Sequence, residues 1–146
     1  MDWPSKGFLA GIIGSVPMNI TNLLAYKFKL TSLRFVDWAS IIMTAKKLSN
    51  DVNSMIYLLF IQVLWSGALG IGLAFLLSFV SSKGYYFKAM YISFLFAFVL
   101  RGIVVLFKIT ELSIVSVQSS EINFLPVLLW GLTTAFILRK LNNIKN

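Results

Sequence analysis

Four stretches of this chain run for about 20 residues with little or no charge, the length at which a helix rising ~1.5 Å per residue crosses a hydrocarbon core. Gly7 to Tyr26 is uncharged throughout and closes on Lys27 and Lys29. Met55 to Val80 lies inside an uncharged run from Val52 to Ser82. Phe87 to Ile109 holds Arg101 deep within it, with Lys88 and Lys108 near its ends, where long cationic side chains snorkel to water. Ile122 to Lys140 is the shortest, uncharged as far as Leu138, and places Pro126 in its first turn, where proline is tolerated. A chain of 146 residues, 58% hydrophobic and 12% charged, carries more apolar surface than one small soluble core hides. Trp3, Tyr26, Tyr57, Tyr85, Tyr86 and Tyr91 fall near the span boundaries, the depth amphipathic rings prefer.

Between the first two spans, Leu30 to Leu48 is too polar to cross and too apolar for a simple loop. Arg34, Asp37, Ser40, Thr44 and Lys47 recur at spacings of three and four, opposite Phe35, Trp38 and Ile42 with Val36, Ala39 and Met43. This pattern predicts an amphipathic helix over about residues 31–48, capped by Thr31 or Ser32 and ended by Ser49-Asn50-Asp51. The expected fold is therefore all-α: an integral membrane four-helix bundle, one domain over residues 1–146, with an additional interfacial or re-entrant helix between spans 1 and 2.

Lys and Arg do not choose an orientation. On the side of both termini, side A, lie Lys6, Lys83, Lys88, Arg139, Lys140 and Lys145. On side B lie Lys27, Lys29, Arg34, Lys46, Lys47 and Lys108. A tie of six against six leaves three readings: native contacts override the charge rule, the chain inserts both ways and dimerises antiparallel, or Leu30 to Leu48 crosses as a fifth span. The net charge of +8 is scattered over segment ends, which speaks for a bilayer protein and against nucleic acid.

Lipid is as apolar as Leu, so the spans must meet through small residues and polar groups that find partners. Gly7, Gly11, Ser15, Asn19 and Asn22 form such a stripe in the first span, and Gln62, Ser66, Gly70, Ala74 and Ser78 in the second. Ala89, Ser93, Ala97 and Arg101 do so in the third, and Gly131, Thr134, Ala135 and Leu138 in the fourth. Pro17 is expected to kink the first span and free a carbonyl near Ile13. Asn19, Asn22, Gln62 and Arg101 are all displaced from mid-span toward side B, where Arg34 and Asp37 also lie. These six residues are expected to converge into one polar pocket with the amphipathic helix as its lid. A guanidinium at that depth needs compensation: Asp37 folded back over the pocket, Glu111 of the next loop, the amides of Asn19 and Gln62, water, or a bound anion such as a lipid phosphate.

The chain contains no His and no Cys, and it has no HExxH motif, which removes the common bases, nucleophiles and metal sites; no enzyme activity, cofactor or metal is expected. The spans carry no carboxylate of the kind that couples protons to cation export. The reading that remains is a binding, regulatory or assembly subunit, with a small oligomeric transporter or channel for an anionic or neutral solute as the alternative. Its expected partners are the bilayer, an anionic lipid or small anion, and a membrane protein or further copies of itself.

The run Lys6-Gly7-Phe8-Leu9-Ala10-Gly11 with Asn19, then Leu33-Arg34-Phe35-Val36-Asp37-Trp38-Ala39 and four spans overall, resembles small uncharacterised membrane proteins of spore-forming Firmicutes. The resemblance covers most of the chain in layout, and its specific part is Arg34 to Ala39. It implies a bacterial inner-membrane address and carries no activity.

Overall fold

A computed structural model describes residues 2–46, 48, 51–81, 83–109 and 117–143. Among them are five helices: α1 (Trp3–Lys27), α2 (Phe35–Thr44), α3 (Val52–Ser78), α4 (Tyr85–Leu106) and α5 (Val117–Asn143). All but α2 are long and apolar enough to cross a membrane, α5 through Glu121–Asn142. The chain is an all-α multi-pass membrane bundle with a short amphipathic helix between its first two spans.

Helix ends follow local chemistry. Asp2 accepts the Ser5 backbone N–H at 3.3 Å with Pro4 in the first turn, so α1 starts at Trp3, ahead of the expected Gly7. Asp51 does the same for α3, accepting from Ser54 N at 3.0 Å and Ser54 Oγ at 2.6 Å. The helix α4 stops at Leu106, just before Lys108 turns left-handed at φ 50°, and so falls short of the expected Ile109. Because α5 begins at Val117, Pro126 sits fully buried inside the helix and not in its first turn. Pro17 likewise lies within an unbroken α1, where Thr21 Oγ1 donates to the Pro17 carbonyl at 2.6 Å.

The core is an inverted one, with small and polar side chains inside and large apolar ones outside. Ala10, Ser15, Ser93, Thr134 and Ala135 have no exposed surface, whereas Val16, Ile20, Phe60, Phe98 and Phe136 point outward. That distribution suits a hydrocarbon solvent. The first helix is central and packs extensively on α3 and α5; α4 leans on α5 and barely touches α3. A Cβ on Gly11 would run into the Ser66 carbonyl, and one on Gly70 into the Gly7 carbonyl, so these backbones are in contact along α1 and α3. Between α5 and α4, a Cβ on Gly131 would run into the Ser93 side chain, with the Ala89 carbonyl next to it. Members of all four expected stripes thus face one another largely as the spacing required. Ser78 is the exception in its stripe: it is exposed and donates back to Phe75 O at 2.6 Å. Gly14 and Gly67 belong to the interface as well, against Thr134 and Phe8.

Polar ties fix the antiparallel order. Lys6 Nζ donates to Asn142 Oδ1 at 2.8 Å at the terminal end, and Trp130 Nε1 donates to the Gly11 carbonyl at 3.1 Å further in.

The short helix differs from the expected residues 31–48 at both ends. It starts at Phe35 with Arg34 as its cap residue, while Thr31 donates instead to Leu33 O at 3.3 Å. Its polar side turns inward: Asp37 and Ser40 are buried, and Ile42 and Met43 are exposed. Ser40 and Thr44 donate to the Lys46 carbonyl, at 2.8 and 3.3 Å, and close the helix where Ala45 turns left-handed. With ten residues α2 reaches about 15 Å, half a hydrocarbon core, so it forms no fifth crossing. Lys47, Ser49 and Asn50, assigned to this segment and its end, lie outside the described residues.

Candidate intramembrane cavity

Because α3 and α4 barely touch, the bundle leaves a slot between them. Their facing surfaces form its walls, Met18, Phe124, Val127 and Trp130 of α1 and α5 its floor, and Phe35, Trp38, Ile42 and Met43 of α2 its roof. The cavity measures about 460 Å³ and is open on one side. This lies within the range of roughly 300–1,000 Å³ typical of small-molecule sites. Its lining is mainly apolar, with Gln62, Ser66, Ser93, Arg101 and Asn123 as scattered polar positions. The second hydrophobic cluster, Leu33, Ile41 and Val104, pins the roof to α4 at one end.

The six polar residues expected to share one pocket are divided among three hydrogen-bonded sites and a separate place for Arg101 beside Trp38. Asn19 Nδ2 donates to Gln62 Oε1 at 2.9 Å and to Ser15 O at 2.9 Å, while Gln62 Nε2 donates to Ser66 Oγ at 3.3 Å. This chain of amides joins α1 to α3 and presents Gln62 at the cavity wall. Asn22, 1% exposed, donates to Asn123 Oδ1 at 3.0 Å and accepts the Phe35 backbone N–H at 2.8 Å. One side chain thereby ties α1, α5 and the start of α2.

Arg34 and Asp37 form the third site. Asp37, with no exposed surface, takes Arg34 Nε at 3.0 Å and Arg34 Nη2 at 2.8 Å on its two oxygens, and the Arg34 backbone N–H at 2.8 Å. Hydrogen bonding to Asp37 holds the Arg34 guanidinium above its ordinary pKa, and the same group lies 5.1 Å from the Tyr26 ring centre. The expected Asp37–Arg101 pair is replaced by this local one. An i,i+3 partner on the same helix turn is reached with little further ordering of the chain, whereas Arg101 must be met across helices.

Arg101 meets the roof through a ring instead. Its guanidinium carbon lies 6.0 Å from the Trp38 ring centre, within the range of a cation–π contact. Since α4 ends at Leu106, Arg101 sits about 8 Å past the helix midpoint at ~1.5 Å per residue, nearer side B than the span limits predicted. Glu111, named as a counter-charge, lies outside the described residues.

Trp38, Trp65, Phe96, Asn123 and Trp130 line the cavity without having been singled out as site residues. Trp130 carried a signal, since an indole N–H at mid-span needs an acceptor, and so did Asn123, an amide near the start of an apolar span. A second, shallow cleft of about 530 Å³ at side B is lined by Tyr26, Lys27, Lys29, Thr31, Ser32 and Ser119. Among the described residues, no three His, Cys, Asp or Glu side chains gather in a way that could hold a metal ion.

Comparison of the chain with protein-family models, curated proteins and solved structures finds no match, and the cavity geometry therefore carries the functional reading.

Proposed function

We propose that this chain is a non-enzymatic binding subunit of a bacterial cell membrane, which holds a largely apolar molecule drawn sideways from the bilayer into the slot between α3 and α4. The observation that supports this reading is the half-open cavity of about 460 Å³, roofed by a helix that is itself fastened at its first turn. A slot with apolar walls and a few polar positions is what a ligand with a long apolar part needs. Close packing of Gly131 on Ser93 and of Gly7 on Gly70 fills the bundle toward side A, which favours a closed-ended binding site over a through-path. The bacterial address follows the resemblance of Arg34 to Ala39 and the four-span layout.

Native mass spectrometry after purification in mild detergent tests the proposal. The wild-type chain is expected to retain a stoichiometric lipid-sized adduct, and Ala97→Phe, which fills the slot from α4, to lose it while keeping its helical circular dichroism. Equal retention by both proteins would place the adduct outside the cavity and refute the assignment.

A further inference from the structure

The polar positions of the slot are distributed unevenly along its length. Arg101 lies at the roof end, beside Trp38, whereas Ser93 on the same wall lies about 12 Å deeper at ~1.5 Å per residue along α4, among Leu69, Phe96 and Trp130. One end thus offers a guanidinium, and the other offers hydrocarbon with a hydroxyl already engaged, as Ser93 Oγ donates to Ala89 O at 2.6 Å. The described lining contains no carboxylate. Arg101 also contacts protein beyond Trp38, and its five N–H donors serve several acceptors at once.

A second observation falls at the same end. The indole N–H of Trp38 is buried without a hydrogen-bond acceptor, a state that costs free energy for as long as it persists. The Arg101 guanidinium lies 6.0 Å from the centre of that ring, so an anionic oxygen held by Arg101 would lie beside Trp38, whose side chain would have to turn to bring its buried N–H to it. The placement near side B also keeps a charged headgroup close to the membrane surface while its chain lies at depth.

Taking the slot as a binding site, we infer that its occupant is an anionic lipid, with the acidic headgroup at Arg101 and Trp38 and an acyl chain running between α3 and α4 toward side A. Charge complementarity at one end and apolar walls along the rest select this occupant over a neutral lipid, a free anion or a second copy of the chain.

The test uses Trp3→Phe/Trp65→Phe protein, in which the remaining tryptophans, Trp38 and Trp130, both line the slot. It is placed in phosphatidylcholine nanodiscs containing either phosphatidylglycerol or phosphatidylcholine brominated on the acyl chain, and tryptophan quenching is followed. Brominated phosphatidylglycerol is expected to half-saturate quenching at a mole fraction on the order of tenfold lower, the preference that one charge-assisted hydrogen bond confers. Arg101→Gln is expected to bring the two lipids level while both still quench. In the parent protein, unlabelled phosphatidylglycerol should displace brominated phosphatidylcholine, which tests the inference without altering Arg101.

Equal quenching by both lipids in the parent protein would overturn the acidic headgroup and leave the slot as a site for neutral chains. A preference that survives Arg101→Gln would overturn the role given to Arg101. Absence of quenching by either lipid would overturn the binding site itself, and a dimer mass in the same sample would put a second copy there.

Discussion

Asn22 Oδ1, in the last third of α1, accepts the backbone N–H of Phe35, the first residue of α2, at 2.8 Å. The same amide donates to Asn123 Oδ1 at 3.0 Å, so a single buried side chain sets where the roof helix begins relative to two spans. Replacing Asn22 by Leu removes both bonds and leaves a helix-start N–H without its acceptor, a loss of about 2 kcal/mol. Amide hydrogen exchange over residues 35–44 is expected to quicken in Asn22→Leu. In Asn123→Leu, which breaks the tie to α5 but spares the acceptor for Phe35, those residues are expected to stay protected.

The buried carboxylate of Asp37 answers the adjacent Arg34 with three hydrogen bonds. Asp37→Ala should therefore destabilise α2 by about 2 kcal/mol, with most of the effect local to the helix and its first turn. Tryptophan emission should report the release of Trp38 from its place beside Arg101. A change of equal size on Arg101→Gln, with Arg34→Gln silent, would show that the ion pair crosses helices after all.

Close backbone contact predicts a contrast between two glycines. Gly11→Ala directs a methyl group at the Ser66 carbonyl and the Gly70 Cα, neither of which is a flexible side-chain end, and the helices must part. The cost expected is about 2 kcal/mol, larger than the ~1 kcal/mol that alanine contributes to a helix interior. Gly102→Ala meets nothing within 4 Å and is expected to be neutral or slightly stabilising. Thermal unfolding of both variants in one detergent checks the pair.

A chain without cysteine suits topology mapping by single cysteines. Lys6 and Asn142 are joined by a 2.8 Å hydrogen bond, so both termini share one side of the membrane. Exposed Ser5 and Lys46, changed singly to cysteine, are expected to label from opposite sides of sealed vesicles. Labelling of each position from both sides would instead support the dual insertion that the balanced basic count allows.

Acid should loosen the start of α3. Hydrogen bonds from Ser54 hold the Asp51 carboxyl below its ordinary pKa, so the cap is fully present above the ordinary carboxylate range and is lost as pH falls through that range and below it. Exchange at the first turn of α3 should quicken on acidification in the wild type and respond far less in Asp51→Asn, whose amide oxygen still caps the helix.

Much of the fold was legible because it depends on properties of single residues. The cost of placing charge in hydrocarbon marks out α1, α3, α4 and most of α5, and the helical period puts Gly7, Gly11 and Gly70, or Ser93 and Gly131, on faces that can meet. The displacement of Asn19, Asn22, Gln62 and Arg101 toward side B is likewise a matter of counting along the chain. The choice of partner among these groups was not legible. Asp37 had two guanidinium groups within reach by depth, and the nearer one, three residues back on the same turn, prevailed because pairing there orders less of the chain. Arg101 meets the ring of Trp38 instead. The spacing of residues required four spans and small residues at their contacts; only the packing of α4 on α5, away from α3, opened the slot between them. Helix formation and bilayer transfer are local energies written residue by residue, while a gap between two walls is set by distances among elements far apart in the chain.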